Sequence, residues 1–127
     1  MPQALPPAPP WITPPENYRQ INAAAQMNDG TSVRSFYKRL VQLRKELDVI
    51  SEGRIEFAFR EDDRLLAYRR YTKDQQMLVL CNLTGEDAEL TLPAGWEGAK
   101  VLLTNWDRSA VSVRLPLKPY EALALIM

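Results

Sequence analysis

The spacing of the apolar residues changes once along this chain, near residue 48, and this change constrains the fold more than any other feature. Between residues 33 and 47 the apolar side chains recur every three or four positions, which is the period of one face of an α-helix. After Asp48 they recur at every second position, as in strands that bury one face. The sequence therefore predicts one amphipathic helix that leads into an all-β region.

We expect the helix to run from about residue 32 to residue 48. Ser32 can cap its first N–H groups, with Thr31 and Asp29 as alternatives. The basic side chains fall mostly on the other face, which we interpret as solvated. An isolated helix of this length is marginal in water, so the apolar face must be packed. This apolar face is wider than one small sheet can cover. We therefore predict that it docks on a partner outside the chain. This helix docking face consists of Val33, Phe36, Tyr37, Leu40, Leu43 and Leu47.

The remainder of the chain reads as short strands separated by turn-forming clusters about every ten residues. No further helical pattern lies between these strands, which excludes parallel pairing through helical crossovers. The sequence therefore predicts a mainly β fold, an antiparallel, Greek-key-like β-sandwich of about seven or eight strands after one amphipathic α-helix. The strands are predicted at residues 54–60, 65–71, 77–83, 88–92, 100–104, 111–115 and 122–126.

Three regions follow from these patterns: an arm at residues 1–30, the helix at 31–48 and the sandwich at 49–127. Seven of the ten prolines lie among the first fifteen residues, where they exclude a helix or a central strand. We expect an unanchored tail over residues 1–9. From Trp11 and Ile12 onward we expect an extended segment that lies across an apolar surface.

Composition excludes most enzyme mechanisms. The chain has no histidine, which removes the commonest general base and metal ligand, and its one cysteine, Cys81, can form neither an internal disulfide nor a zinc site alone. Sixteen basic residues balance sixteen acidic ones, so no net charge attracts nucleic acid or an anionic membrane. We therefore expect no catalytic residue, no cofactor-binding residue, no metal ligand, and no nucleic-acid or membrane partner.

No apolar run is long enough to cross a membrane, and prolines stand where a signal peptide would have its basic and apolar segments. Together with the lone cysteine, this predicts a cytoplasmic location. Within the sandwich, the acidic clusters at 61–63 and 86–87 fall in predicted turns and are interpreted as solvated. Trp96 and Trp106 are candidates for sugar contact, although we favour tryptophans that cover the end of the core. Cys81 lies in an apolar strand and is interpreted as a small buried residue.

Several motifs, in this order along the chain, resemble the end of the catalytic barrel and the following domain in glycoside hydrolase family 13. The likeness is to its alpha-glucosidase and oligo-1,6-glucosidase branch. Each motif is weak alone, but together they cover residues 10–126. They are Pro10-Trp11-Ile12, Asn17-Tyr18, Ile21-Asn22, the helical segment 32–45, Leu66-Ala67-Tyr68-Arg69-Arg70, the apolar strand 78–84 that ends in Asn82, and the Pro119-Tyr120-Glu121-Ala122 signature.

The resemblance implies that this chain is the last barrel helix and the C-terminal β-sandwich, called domain C, of an alpha-glucosidase-like enzyme. It also implies that the catalytic barrel is the partner of the helix docking face within the full-length protein. The family's retaining mechanism uses an Asp nucleophile, a Glu acid/base and histidines that lie upstream, and no residue here matches them. The resemblance therefore implies that this chain has a structural role: it stabilises the barrel of an enzyme that hydrolyses alpha-glucosidic bonds of small oligosaccharides.

Two other functions remain open. One is a carbohydrate-binding module that stacks sugars on Trp96 or Trp106. The other is a protein-interaction sandwich whose Pro-x-x-Pro arm adopts a polyproline helix. The exposed helix stripe also predicts self-association of the chain by itself.

Overall fold

The structure is a computed structural model that describes residues 8–9 and 11–127. The chain divides into two compact units, residues 1–39 and 40–127. The tail predicted over residues 1–9 falls, except for residues 8 and 9, outside the described residues, as does Pro10 of the first family motif. In the described part of the first unit, residues 16–32 form successive turns. Trp11 is 95% exposed, so the apolar surface expected beneath it is not supplied by the described chain.

The predicted amphipathic helix is present as α1, Val33–Glu46. Ser32 caps it as expected, because its Oγ accepts a hydrogen bond from the Ser35 N–H at 3.2 Å. The helix is shorter than predicted because Leu47 adopts an extended conformation, with φ −120° and ψ 109°. A second, short helix that the sequence analysis did not predict, α2, follows at Asp48–Ser51.

Seven antiparallel strands form the rest of the described chain and confirm the predicted mainly β fold. Five form one sheet in the order β1-β2-β3-β7-β5, and β4 pairs with β6 in a second sheet. Each connection from β3 to β7 therefore crosses between the sheets. The strands are β1 Arg54–Ala58, β2 Leu65–Tyr71, β3 Gln76–Asn82, β4 Ala88–Thr91, β5 Lys100–Thr104, β6 Arg114–Leu117 and β7 Ala122–Ile126.

The core of the second unit lies between the two sheets. Alternate residues of β2, β3 and β7 point inward from the large sheet, and alternate residues of β4 and β6 point inward from the small one. Only every second residue of a strand can face this core. The alternation of apolar residues in the sequence therefore identifies the core-facing positions. The buried residues common to this cluster include Leu65, Ala67, Leu78, Leu80, Leu90, Leu115, Leu117, Leu123 and Leu125.

Two strands differ from their predicted bounds by more than one residue. β1 ends at Ala58 because Phe59 has a positive φ of 50°, which no regular strand accommodates. β6 lies three residues later than predicted and contains Pro116, which pairs with Glu89. A proline is tolerated there because a two-stranded sheet consists of edge strands, where a missing N–H costs no ladder bond.

The short helix α2 lies against β2 and β3 of the large sheet. Gly53, which follows it, permits this close approach, since a Cβ at this position would stand 2.3 Å from the Val49 carbonyl oxygen and 3.3 Å from the Tyr71 amide nitrogen. Val49 is fully buried, yet it lies outside the cluster between the sheets. A second, smaller apolar contact therefore exists on the other face of the large sheet.

Candidate functional site

The helix docking face is the first candidate site, and most of it is solvent-exposed. Val33 is 79% exposed and Tyr37 is 67% exposed, and Leu40 and Val41 are also exposed. A soluble helix normally turns such side chains toward a core. α1 therefore presents an apolar stripe that the described chain leaves uncovered.

The three remaining residues of this predicted face are more enclosed. Leu43 is buried, whereas Phe36 and Leu47 are half-buried. The helix docking face, whose width predicted an external partner, thus has a covered part and an open part. Docking of the open part against another domain stays a prediction.

A buried carboxylate, Glu121, organises one end of the sandwich. Its side chain is completely buried and accepts two hydrogen bonds from Arg108, Nε to Oε1 at 2.6 Å and Nη2 to Oε2 at 2.9 Å. The Lys118 N–H donates a further bond to Oε2 at 2.7 Å. Arg108 Nη2 also donates to the Pro116 carbonyl, so this ion pair ties the turn before β7 to β6.

The charge of Glu121 is fixed by these partners. Burial by itself raises the pKa of this carboxyl group, but the hydrogen bonds from Arg108 and from the Lys118 N–H outweigh burial and hold its pKa below the ordinary value. A carboxylate that is completely buried cannot reach a substrate, and its lowered pKa keeps it from holding a proton near neutral pH. Glu121 is therefore suited to a structural role and not to acid/base catalysis.

Asn82 completes the same end of the sandwich. Its Nδ2 donates to the carbonyl oxygens of Glu86 at 2.7 Å and Lys118 at 2.9 Å, and its Oδ1 accepts from the Thr84 N–H at 3.0 Å. The Asn82 N–H donates to the Glu121 carbonyl. The two family-like motifs that end in Asn82 and contain Glu121 therefore meet in one hydrogen-bond network.

The sequence analysis assigned no role to Asn82, Glu121 or Arg108. A buried amide or carboxylate inside an apolar strand pattern is the only signal that could have suggested one, since such groups require partners. Some of these partners are distant in the chain, as Arg108 is from Glu121 and Lys118 is from Asn82, and only the fold brings them together.

The two tryptophans named as sugar-contact candidates have different surroundings. Trp96 is 4% exposed and belongs to the core between the sheets, so its ring offers no open face on which a sugar could stack. Trp106 is 46% exposed, and its Nε1 donates to the Pro119 carbonyl at 3.1 Å. The structure does not bring the two rings into ring–ring contact. Sugar contact therefore stays a prediction for Trp106.

The acidic cluster at 86–87 adjoins the Asn82 network through the Glu86 carbonyl and the Asp87–Lys118 ion pair, whereas the side chains of the cluster at 61–63 lie elsewhere. Asp62 accepts hydrogen bonds from Arg64, and these lower the pKa of this half-buried carboxyl group. Burial raises the pKa of the half-buried Cys81 thiol. Across residues 8–9 and 11–127, no group of three or more Cys, Asp or Glu side chains is arranged to hold a metal ion. The same residues include no helix long and apolar enough to cross a membrane.

Comparison with known proteins shows that two different family models match successive parts of this chain. Residues 4–53 match the family model described as "Alpha amylase, catalytic domain", and residues 65–123 match "Alpha-amylase SusG C-terminal domain". The chain is 38% identical over 119 residues to the trehalose-6-phosphate hydrolase of Bacillus subtilis (strain 168), an alignment that covers 90% of this chain and 21% of that protein. It matches the C-terminal region of alpha-glucosidase-type enzymes of glycoside hydrolase family 13.

Other members of this family give the same picture. An oligo-1,6-glucosidase of Halalkalibacterium halodurans is 34% identical over 89% of this chain and 21% of its own length. The crystal structure of trehalose-6-phosphate hydrolase from Bacillus licheniformis superimposes with a TM-score of 0.81 at 38% identity, covering 92% of this chain and 22% of that chain. The trehalulose synthase of Pseudomonas mesoacidophila MX-45 gives 0.82 at 30% identity, covering 93% and 22%.

The chain thus spans about a fifth of the length of the curated family 13 relatives it matches. These relatives are glycoside hydrolases, and the part they share with this chain is their C-terminal region. In terms of the two family models, α1 and α2 lie in the catalytic-domain segment and β2 to β6 lie in the C-terminal-domain segment.

Proposed function

We propose that this chain serves as a structural, non-catalytic part of an alpha-glucosidase-type enzyme and docks on the catalytic barrel through the helix docking face. The observation that carries the proposal is that α1 exposes Val33, Tyr37 and Leu40 while lying in the segment that matches the catalytic domain. A helix that belongs to a barrel buries one face against it, and this would cover the open stripe.

The enzyme containing this chain is, in this proposal, a retaining alpha-glucosidase that acts on small oligosaccharides in the cytoplasm. The relatives that match most of this chain act, by their names, on trehalose 6-phosphate or on oligo-1,6-glucosides. The catalytic carboxylates belong to the barrel. Glu121, the one fully buried carboxylate of the described residues, is committed to Arg108 and is not available for the reaction.

A chimera tests the docking role. The chain replaces the aligned 119 residues of the Bacillus subtilis trehalose-6-phosphate hydrolase, and Tyr37→Ser is compared with Lys38→Ser on the neighbouring, exposed position. If the docking face contacts the barrel, Tyr37→Ser loses a buried aromatic side chain and lowers the melting temperature of the chimera by several degrees, at a cost of about 3 kcal/mol. Lys38→Ser should change it by less than about 1 °C, as expected for a surface position.

The same two variants in the 127-residue chain provide the control. Tyr37 is exposed there, so Tyr37→Ser and Lys38→Ser should have equally small effects on its unfolding. Equal effects of the two variants in the chimera would contradict the docking role. Titration of the 127-residue chain with maltose or isomaltose oligosaccharides, followed by tryptophan fluorescence, tests the alternative of sugar binding at the half-exposed Trp106.

A further inference from the structure

A small cleft lies where the turn between β2 and β3 meets the start of β1. Its volume is about 420 Å³, and it is lined by Glu52, Arg54, Tyr71, Thr72 and Lys73. Strand register brings its two sides together, since Arg54 is the cross-strand neighbour of Tyr71. All five residues belong to the second unit. The volume falls within the range of about 300–1,000 Å³ that is typical of small-molecule sites.

The two cationic side chains of the cleft have no partner of their own. Among the described residues, neither Arg54 nor Lys73 makes an ion pair or a side-chain hydrogen bond. The neighbouring Arg69 is already paired, because its Nη2 donates to Glu56 Oε2 at 2.7 Å. Two cations against the one carboxylate of Glu52 leave an excess of positive charge in the cleft. An anion can therefore bind Arg54 and Lys73 without breaking an existing contact.

The two uncharged side chains of the cleft are held in place by their neighbours. The Arg69 guanidinium lies over the Tyr71 ring, 4.6 Å from its centroid, and the Tyr71 hydroxyl group donates to Glu56 Oε1 at 3.1 Å. Thr72 Oγ1 accepts a hydrogen bond from the Gln75 N–H at 3.1 Å. The hydroxyl proton of Thr72 has no acceptor in the part of the chain that the structure describes. A fixed ring and a fixed donor reduce the entropy that a ligand loses on binding.

These groups together suit one class of ligand. Arg54 and Lys73 supply charge-assisted donors for a phosphate group, and Thr72 supplies a neutral donor. The Glu52 carboxylate repels a bare phosphate ion but accepts hydrogen bonds from hydroxyl groups. The half-buried Tyr71 ring offers apolar area for the C–H face of a sugar. A ligand that satisfies all of these contacts carries a phosphate group at one end and a hydroxyl-bearing ring at the other.

We infer that this cleft binds the phosphate monoester of a sugar, with the phosphate group on Arg54 and Lys73 and the sugar hydroxyl groups facing Glu52. The inference goes beyond the proposed structural role and does not depend on it, since no lining residue belongs to the helix docking face. A ligand bound there contacts both the start of β1 and the turn between β2 and β3, and so stabilises the folded sandwich.

NMR titration of the ¹⁵N-labelled 127-residue chain tests the inference with glucose 6-phosphate, glucose and inorganic phosphate. The amide signals of residues 52–54 and 71–75 report binding at the cleft. Both phosphate probes carry about one to two negative charges near neutral pH, so a difference between them reports the sugar. Glucose 6-phosphate should bind at least about tenfold more tightly than either other probe, because only this ligand has both the charge and the hydroxyl groups.

Two substitutions test the cations. Arg54→Gln and Lys73→Gln should each weaken the binding of glucose 6-phosphate by about tenfold, as expected for the loss of a hydrogen bond to a charged group. Lys100→Gln is the matched control, because Lys100 is an exposed lysine on β5, at the opposite edge of the large sheet. Its effect should stay within about twofold, since salt screens a charge at that distance.

Glu52→Ala tests whether a sugar is recognised. Removal of the carboxylate should tighten the binding of inorganic phosphate and reduce the preference for glucose 6-phosphate to less than about threefold. Equal affinities of the native chain for the two phosphate probes would overturn the assignment of a sugar ester. The inference would also be overturned if millimolar glucose 6-phosphate did not shift the signals of the cleft, or if Lys100→Gln weakened binding as much as Lys73→Gln.

The outcome is independent of the proposed function. The 127-residue chain contains the whole cleft, so a failure to bind glucose 6-phosphate leaves the docking of α1 untouched. Equal effects of Tyr37→Ser and Lys38→Ser in the chimera would in turn leave the cleft untouched. The four side chains substituted in the cleft experiments are exposed, so the variants should fold, and their melting temperatures verify this.

Discussion

The buried ion pair between Glu121 and Arg108 is the feature of single residues on which the sandwich most depends. Glu121 has no solvent exposure, and its two carboxylate oxygens accept three hydrogen bonds from Arg108 and Lys118. Removing one partner of such a pair leaves the charge of the other buried without compensation. The free-energy cost of this exceeds the contribution of the intact pair. Its neighbour Tyr120 holds a left-handed φ of 53°, a conformation that these surrounding bonds keep in place.

Glu121→Gln is expected to lower the free energy of unfolding of the second unit by about 3 kcal/mol, because Arg108 loses its ionised acceptor inside the protein. Urea unfolding followed by fluorescence measures the change. Glu89→Gln is the matched control, since Glu89 pairs with Arg114 on the surface and such pairs contribute about 0.5 kcal/mol. Equal losses for the two variants would contradict the structural role of Glu121.

The same carboxylate predicts how stability depends on pH. Folding lowers the pKa of Glu121 below its ordinary value of 4.5, so its contribution is complete above that value and is lost as the pH falls toward the lowered pKa. The difference in unfolding free energy between the native chain and Glu121→Gln should therefore be constant from about pH 7 to pH 5 and shrink below it. A difference that grows on acidification would show that the pKa is raised instead.

At the scale of elements, the contact between α2 and the large sheet depends on Gly53. A methyl group there would meet the Val49 carbonyl oxygen and the Tyr71 amide nitrogen, and both of these atoms belong to backbone that cannot turn aside. Relief requires α2 to move away from β2, which would open the small apolar contact around Val49 and Met77.

Gly53→Ala is therefore expected to destabilise the second unit by about 2 kcal/mol through overpacking. Gly98→Ala is the control, because nothing lies within 4 Å of a Cβ at Gly98 and its φ is not positive. That change should be neutral or slightly stabilising. Thermal unfolding of the three proteins compares them, and an unaffected Gly53→Ala would show that α2 packs less closely than described.

At the scale of the whole molecule, we expect the 127-residue chain to be inactive and to self-associate. The described residues leave much of the apolar helix docking face exposed, and exposed apolar surface promotes association. Purified chain should not release chromophore from a p-nitrophenyl alpha-glucoside. Turnover that disappears when one of its carboxylates is replaced would refute the non-catalytic role.

Sedimentation velocity checks the association. The species distribution should shift toward larger assemblies as concentration rises, and Tyr37→Ser should reverse this shift. Lys38→Ser is the control, since it replaces an exposed polar side chain at the neighbouring position. A native chain that stays monomeric at the highest concentration would contradict the prediction.

Local spacing was sufficient to predict the helix, its Ser32 cap, and six of the strands to within about two residues. These features depend on the side chains of neighbouring residues, which the sequence displays directly. The pattern failed where backbone conformation decided the outcome: Leu47 is extended and divides the predicted helix, and Phe59 ends β1 with a positive φ. β6 was misplaced because Pro116 reads as a break, although an edge strand accepts it.

The same distinction between local and long-range information applies to the candidate sites. The sequence by itself determined that α1 is amphipathic, that the fold is mainly β, and that the ordered motifs resemble those of the alpha-glucosidases, because periodicity and ordered motifs are local properties. Only the tertiary structure decided that Trp96 is a core residue, that Asn82 and Glu121 share one network with Arg108, and that two unpaired cations line one cleft. Each of these depends on contacts between residues far apart in the chain, and burial is a property of those contacts rather than of residue type.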